Sequence, residues 1–305
     1  MHSKSEGFLC FRTPGDACCE RHMEFVAKAF DTGESAETTP TIGIATSILA
    51  SGGYAQLFGP MDITPNAYST CVAKAGGQPV LIPLVNDKRL ASTLVSRLDG
   101  LIFVQGPDVD PKLYGASKHE KTDTPNTELD SWQLALSDEA SRRDMPCLFT
   151  CRGHQLECVR SGGRMHQYIP DLVDQMPWEA SPHGVVIDQE TKSFSPGTHP
   201  VRLEPDSRIA SILGRTEVTV NSTHKQAVAE AGTLTVTGRS PDGLIESAED
   251  PRKRFWLTTQ WHPEVLHLAS LEEQQRLFDA LVAAAREHAR SKHLSRRLCC
   301  CCAQS

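Results

Sequence analysis

The chain has 305 residues, 39% of them hydrophobic, and a formal net charge of −7. That is ample material for a buried core, and the acidic balance excludes a broad basic field for nucleic acid or an anionic membrane around the folded part. The expected partner is a small molecule, with self-association into a homo-oligomer left open.

Residues 1 to 39 show no periodicity and close on the polar stretch Gly33-Glu34-Ser35-Ala36-Glu37-Thr38-Thr39-Pro40, which reads as a disordered leader and linker. The apolar patch Phe8 to Phe11 is too short for a signal peptide, and no run approaches the roughly 18 apolar residues of a membrane span. Of eleven cysteines, only Cys71, Cys147, Cys151 and Cys158 fall inside the patterned region, which is no disulfide framework. A reducing, cytoplasmic setting is expected.

From Thr41 the chain alternates. Thr41-Ile42-Gly43-Ile44-Ala45 is a short apolar run, Tyr68 to Ala75 has helical spacing, and Gly76-Gly77-Gln78-Pro79 ends that helix before Val80-Leu81-Ile82-Pro83-Leu84. Leu98 to Val104 predicts a third strand, Leu129 to Arg142 a helix, and Met145 to Thr150 a fourth strand. The two later strands are unbroken apolar runs, as expected where helices cover both faces of a sheet. The pattern predicts an α/β fold with a mostly parallel sheet flanked by helices. Between Trp178 and Thr258, short alternating segments such as Val201-Arg202-Leu203 and Glu217-Val218-Thr219-Val220 predict a small antiparallel extension. Leu271 to His288 predicts a closing amphipathic helix, so the folded domain spans residues 41–288 and a basic, cysteine-rich tail fills 289–305.

Thr150-Cys151-Arg152-Gly153-His154-Gln155 follows the fourth strand and opens a helix, which places Cys151 on a strand-to-helix turn at the carboxyl end of the sheet. A helix N-terminus favours thiolate, and Gly153 lets the backbone pass closely. By spacing alone Cys151 is as readily a buried structural cysteine, as Cys147 and Cys158 are expected to be. A second strand, Phe255 to Thr259, ends in Gln260-Trp261-His262-Pro263-Glu264 and so delivers a base and its orienting carboxylate together. This tips the balance toward a nucleophile.

Cys-Arg-Gly-His-Gln at 151–155, Gly162-Gly163 and Gln-Trp-His-Pro-Glu at 260–264 resemble the class I glutamine amidotransferase-like family, and most closely its γ-glutamyl-γ-aminobutyrate hydrolase branch, peptidase family C26. Leu98-Asp99-Gly100, Gly106-Pro107-Asp108-Val109-Asp110-Pro111, Val220-Asn221-Ser222-Thr223-His224-Lys225-Gln226 and Arg239-Ser240-Pro241-Asp242-Gly243-Leu244-Ile245-Glu246 extend the resemblance over roughly residues 41 to 285. It implies the flavodoxin-like class I glutamine amidotransferase fold, a Cys151, His262 and Glu264 triad, and an oxyanion hole from the backbone N–H groups of Gly106 and Arg152. It further implies substrate contacts from Gln155, Asn221, Ser222 and His224, and a γ-glutamyl substrate. No organic cofactor and no metal are expected. Rival readings are a glutaminase subunit feeding ammonia to a separate synthetase and an inactive relative that binds γ-glutamyl ligands.

The sequence departs from the family pattern at Phe149, where a small residue is usual, at Gln105 in place of a glycine, at Leu129-Asp130 in place of an Arg-Asp pair, and at Lys225 in the segment over the pocket. The chain ends in Cys299-Cys300-Cys301-Cys302-Ala303-Gln304-Ser305. Its last four residues fit a prenylation box, and the cysteines at 299, 300 and 301 fit a second acyl anchor, so membrane association through this tail is an expectation set against a plain cysteine-rich tail.

Overall fold

In the computed structural model, which describes residues 39–85, 87–175, 181–187, 194–265 and 272–303, the first apolar run forms β1 (Thr41–Ala45). The expected leader lies outside the described residues except for residue 39. A hairpin follows, β2 (Ser47–Leu49) and β3 (Met61–Ile63), with the short helix α1 (Ala55–Phe58) between its strands. The next helix is α2 (Asn66–Lys74), and it leads into β4 (Gln78–Ile82). Pro79 therefore falls inside a strand rather than in the turn before it. Proline cannot donate to a ladder, and β4 accommodates it because β4 is an edge strand paired with β1.

Helix α3 (Lys88–Arg97), which the sequence reading did not single out, is capped by Asp87, whose side chain accepts from the Arg89 N–H at 3.0 Å. It is followed by β5 (Gly100–Phe103), α4 (Thr127–Arg142), β6 (Cys147–Thr150) and α5 (Arg152–Arg160). The middle of the chain supplies β7 (Arg164–His166), β8 (Val185–Ile187), β9 (Phe194–Leu203), α6 (Arg208–Leu213), β10 (Glu217–Ser222), β11 (Ala227–Glu230), β12 (Thr235–Arg239) and β13 (Ile245–Glu249). Then β14 (Trp256–Thr259) returns parallel to β6, and α7 (Gln275–Ala303) closes the chain.

The strand order is β10-β9-β12-β13-β14-β6-β5-β1-β4, parallel from β14 to β4 and antiparallel from β13 outward. The expected antiparallel extension is thus a broad continuation of the same sheet. Alternate residues face opposite helical layers. Leu101 and Phe103 join Trp132, Leu136, Phe149 and Trp256 on one side, while Ile102 and Val104 join Ile42, Leu148, Leu257, Phe278 and Leu281 on the other. Both faces are covered, which is why these strands read as unbroken apolar runs.

Phe149 finds its space in this core. It is 1% exposed, stacked on Phe103 with ring centroids 4.6 Å apart and tilted against Trp256 at 4.9 Å. At the other end of the chain, the closing helix was expected to stop near His288, yet α7 runs on to Ala303 and makes the expected tail helical in backbone. The side chains of 295–303, including Cys299, Cys300, Cys301 and Cys302, lie outside the described residues. No described helix is long and apolar enough to cross a membrane.

Candidate active site

β6 and β14 are parallel neighbours with Thr150 opposite Thr259. The residues after these strands therefore leave the sheet side by side, and the Cys151 N–H donates to the Thr259 carbonyl at 2.8 Å. Cys151 has φ 51° and ψ −111°. For a residue with a Cβ such a conformation costs on the order of 1–3 kcal/mol and persists only where its surroundings impose it. One such constraint is Gly153, where an added Cβ would lie 2.6 Å from the Phe103 carbonyl oxygen, so glycine alone lets α5 start this close to β5. Among the described cysteines Cys151 is partly exposed and the other three are buried. Burial pushes the Cys71 thiol up to about 11 and those of Cys147 and Cys158 well above the ordinary cysteine value. The buried thiols are thereby poor nucleophiles.

Trp261 is fully buried, with its indole N–H on Gln274 Oε1 at 3.0 Å, and anchors the segment after β14. Asn221 then grips the next residue from both sides. Its Oδ1 accepts from the His262 N–H at 3.0 Å and its Nδ2 donates to the His262 carbonyl at 2.8 Å. His262 Nδ1 lies 2.7 Å from Glu264 Oε1, and the ring is within electrostatic reach of Cys151. Burial alone would lower the His262 pKa, but the Glu264 carboxylate and the Cys151 sulfur outweigh it and hold it well above the usual histidine value.

The backbone N–H groups of Gly106 and Arg152 donate to no protein acceptor among the described residues. The Arg152 side chain, 1% exposed, has a different task. Its guanidinium is bonded to Asp130 and Gln133 of α4, and its Nε donates to the Pro107 carbonyl at 2.8 Å. Gln133 in turn donates to the Thr46 carbonyl at 3.1 Å, and Asp130 accepts from the Asp110 N–H at 3.2 Å. This clamp holds the 105–107 segment against the start of α5. Sequence reading drew on Arg152 only for its backbone, because no local spacing links 46, 107, 130, 133 and 152.

The family model described as Peptidase C26 matches residues 40–264. The chain belongs to the Peptidase C26 family. Protein NtpR of Enterococcus hirae is 35% identical over 245 residues, covering 80% of this chain and 98% of that protein. Gamma-glutamyl-gamma-aminobutyrate hydrolase PuuD of Escherichia coli (strain K12) is 30% identical over 229 residues, covering 74% of this chain and 87% of that protein. The solved glutaminase domain of Trypanosoma brucei CTPS with bound acivicin is similar with a TM-score of 0.50 at 15% identity, over 82% of this chain and 94% of that chain, and bears on the fold alone. The parallel sheet and its helices are the flavodoxin-like class I glutamine amidotransferase fold, and the chain is a glutamine amidotransferase-like hydrolase.

In this C26 chain a cleft beside His262 is walled by Pro65, Gln105, Pro196, Asn221, Thr223 and Glu264. Gln105, noted in the sequence only as a lost glycine, presents a buried Oε1 that has no partner. The residues expected to touch substrate have these partners within the chain. Gln155 is buried and its amide N–H groups go to the Gln226 carbonyl at 3.3 Å and Gln260 Oε1 at 3.1 Å. Asn221 reaches the cleft, but its amide is committed to the His262 backbone. The Ser222 hydroxyl donates to the His183 carbonyl at 2.9 Å, and His224 is buried beside His183. These side chains support the segment over the cleft. The motif located that segment, while the direction of each side chain depends on packing the motif does not encode. Lys225 is ion-paired with Asp108 at 3.1 Å and Asp123 at 2.9 Å. Among the described residues, His183, His199, His224 and Glu246 form the group able to hold a metal ion.

Proposed function

We propose that this chain hydrolyses a γ-glutamyl amide bond, of γ-glutamyl-γ-aminobutyrate or a related γ-glutamyl amine, through a γ-glutamyl thioester on Cys151. The observation that carries the reading is the strained turn that holds Cys151 within electrostatic reach of the His262–Glu264 pair. The activity printed in the name of the Escherichia coli relative supports the substrate class.

In this mechanism the Cys151 thiolate adds to the γ-carbonyl carbon, and the N–H groups of Gly106 and Arg152 hold the resulting oxyanion. His262, protonated and oriented by Glu264, gives its proton to the leaving amine as the C–N bond breaks. Water then attacks the thioester and His262 takes the proton, which releases glutamate and restores the thiolate pair.

The test is incubation of the purified chain with γ-glutamyl-γ-aminobutyrate, other γ-glutamyl amines, a folate polyglutamate and glutamine, with release of glutamate measured. Rapid quenching should also give a γ-glutamyl adduct on Cys151 by peptide mass. Release from glutamine alone would favour an ammonia-supplying glutaminase. No release and no adduct from any of the four would leave an inactive binding relative and overturn the proposal.

A further inference from the structure

Four buried ligating side chains converge outside the cleft: His183 before β8, His199 on β9, His224 after β10 and Glu246 on β13. One ligand atom from each lies within 4.8 Å of all the others. His183 Nδ1, His199 Nε2 and His224 Nε2 stand 3.6, 3.7 and 3.8 Å from Glu246 Oε1. These separations are beyond hydrogen-bond length. They are close to the spacing of about 3.4 Å between ligands on a tetrahedral ion with bonds of about 2.0–2.1 Å.

Buried polar atoms are almost always satisfied, and an unsatisfied one costs about 1–3 kcal/mol. Here His199 Nε2, His224 Nε2, Glu246 Oε1 and Glu246 Oε2 are all buried and all without a hydrogen-bond partner. Such a concentration of orphans at one point needs an occupant. The outer nitrogens, by contrast, are all engaged. His183 Nε2 is 2.9 Å from Asp242 Oδ2, His199 Nδ1 is 3.1 Å from the Pro200 carbonyl, and His224 Nδ1 is 2.8 Å from the Gln226 carbonyl. Each outer acceptor fixes a tautomer with N–H outward and a lone pair inward, the arrangement that orients histidine toward a metal. His183 Nδ1 has one further neighbour, the Ser222 hydroxyl at 3.5 Å, which is itself turned to the His183 carbonyl at 2.9 Å. Asp242 is in turn held by the Ser181 N–H at 2.7 Å and by the Ser240 hydroxyl.

The geometry points to a structural site for a divalent transition ion of the zinc class, bound by His183 Nδ1, His199 Nε2, His224 Nε2 and the Glu246 carboxylate. Three imidazoles and one carboxylate suit Zn²⁺, and an all-protein set with no open position suits a structural role rather than the hydrolysis itself. Burial disfavours the charged form of two of the ligating histidines, His199 down to about 4 and His224 well below the ordinary value. The ion would cross-link β9 and β13 to the 221–226 segment. That segment carries Asn221, which holds the His262 backbone. The ion would therefore fix the segment that holds His262.

The test uses the full chain, purified without chelator, assayed for metals by mass spectrometry, then stripped with a chelator and titrated with Zn²⁺ and with Co²⁺. We expect about one equivalent of ion per chain, a melting temperature that falls on stripping and recovers with Zn²⁺, and a Co²⁺ form with tetrahedral d–d absorption and no thiolate charge-transfer band. Glu246→Gln and His199→Asn should each lower Zn²⁺ affinity at least tenfold. If a substitution unfolds the chain, the titration of stripped wild-type protein decides alone. A stripped, folded wild type whose melting temperature and metal content do not respond to Zn²⁺ would overturn the site. So would a thiolate-to-cobalt band, which would put the ion on cysteine, or unchanged affinity in folded variants.

Discussion

Cys151 sits where glycine would be more comfortable. Its φ of 51° costs on the order of 1–3 kcal/mol, against a glycine entropy cost of about 0.5–1 kcal/mol. Cys151→Gly should therefore lose turnover yet be more stable than Cys151→Ala, which keeps the strained Cβ; a lower denaturation midpoint for the glycine variant would show that the turn stores no strain. The His262–Glu264 contact makes a second prediction. Glu264 holds the His262 pKa up, and under the proposed mechanism the alkaline limb of kcat/KM marks loss of the proton that His262 gives to the leaving amine. Glu264→Gln should shift that limb to lower pH and cost less rate than His262→Ala. An unmoved limb would mean that the carboxylate does not set the histidine's pKa. Both residues were legible in the sequence because Cys-Arg-Gly-His-Gln and Gln-Trp-His-Pro-Glu are contiguous and each follows a strand. The hydrogen-bond partners of Gln155, Asn221, Ser222 and His224 were not, because a motif does not encode which way its side chains point.

At the scale of elements, the site depends on α4 holding α5 and the 105–107 segment in one position. The Arg152–Asp130 pair is buried on both sides. Removing one partner of such a pair costs about 3–5 kcal/mol because the other charge is left desolvated, whereas replacing both by apolar groups is often neutral. Asp130→Asn should accordingly lower the melting temperature and reduce kcat more than it raises KM, since the Gly106 and Arg152 N–H groups lose their common support. The Asp130→Leu, Arg152→Met double variant should recover the melting temperature but not the turnover. Recovery of both would show that the clamp stabilises the fold without positioning the proposed oxyanion hole. The parallel strands could be read from their apolar runs, and α4 from its periodicity. Pro79 inside β4 and the length of α7 could not, because the first depends on β4 lying at an edge and the second on a helix continuing beyond its apolar stripe.

Over the whole molecule, buried histidines of opposite tendency shape the response to pH. His154, fully buried on α5 with Nδ1 2.7 Å from Thr258 Oγ1, is pushed by burial down to about 3. It stays neutral in the folded chain while the unfolded chain protonates near about 6.5. Its contribution to stability is therefore complete above about 6.5 and lost as the pH falls from there toward about 3. His262, raised by Glu264 and Cys151 against its burial, has the opposite sign: its contribution is complete below about 6.5 and lost as the pH rises through its folded pKa. In melting curves taken across pH, His154→Asn should flatten the acid limb and His262→Asn the alkaline one. An acid limb unchanged by His154→Asn would mean that other buried groups govern it.

What the sequence by itself determined was whatever is local: apolar runs that had to be buried on both faces, turn residues that ended them, and two contiguous motifs that each place reactive groups at a strand end. These sufficed for the fold class and for the candidate triad. Only the tertiary structure decided the rest, because it rests on contacts between residues far apart in the chain. Phe149 lies in the core because Phe103 and Trp256 offer it ring faces there. Asn221 serves His262 because β10 ends beside the segment that follows β14. His183, His199, His224 and Glu246 share no spacing that a one-dimensional reading would mark, and they meet because the antiparallel strands continue the sheet and fold their ends over one buried point.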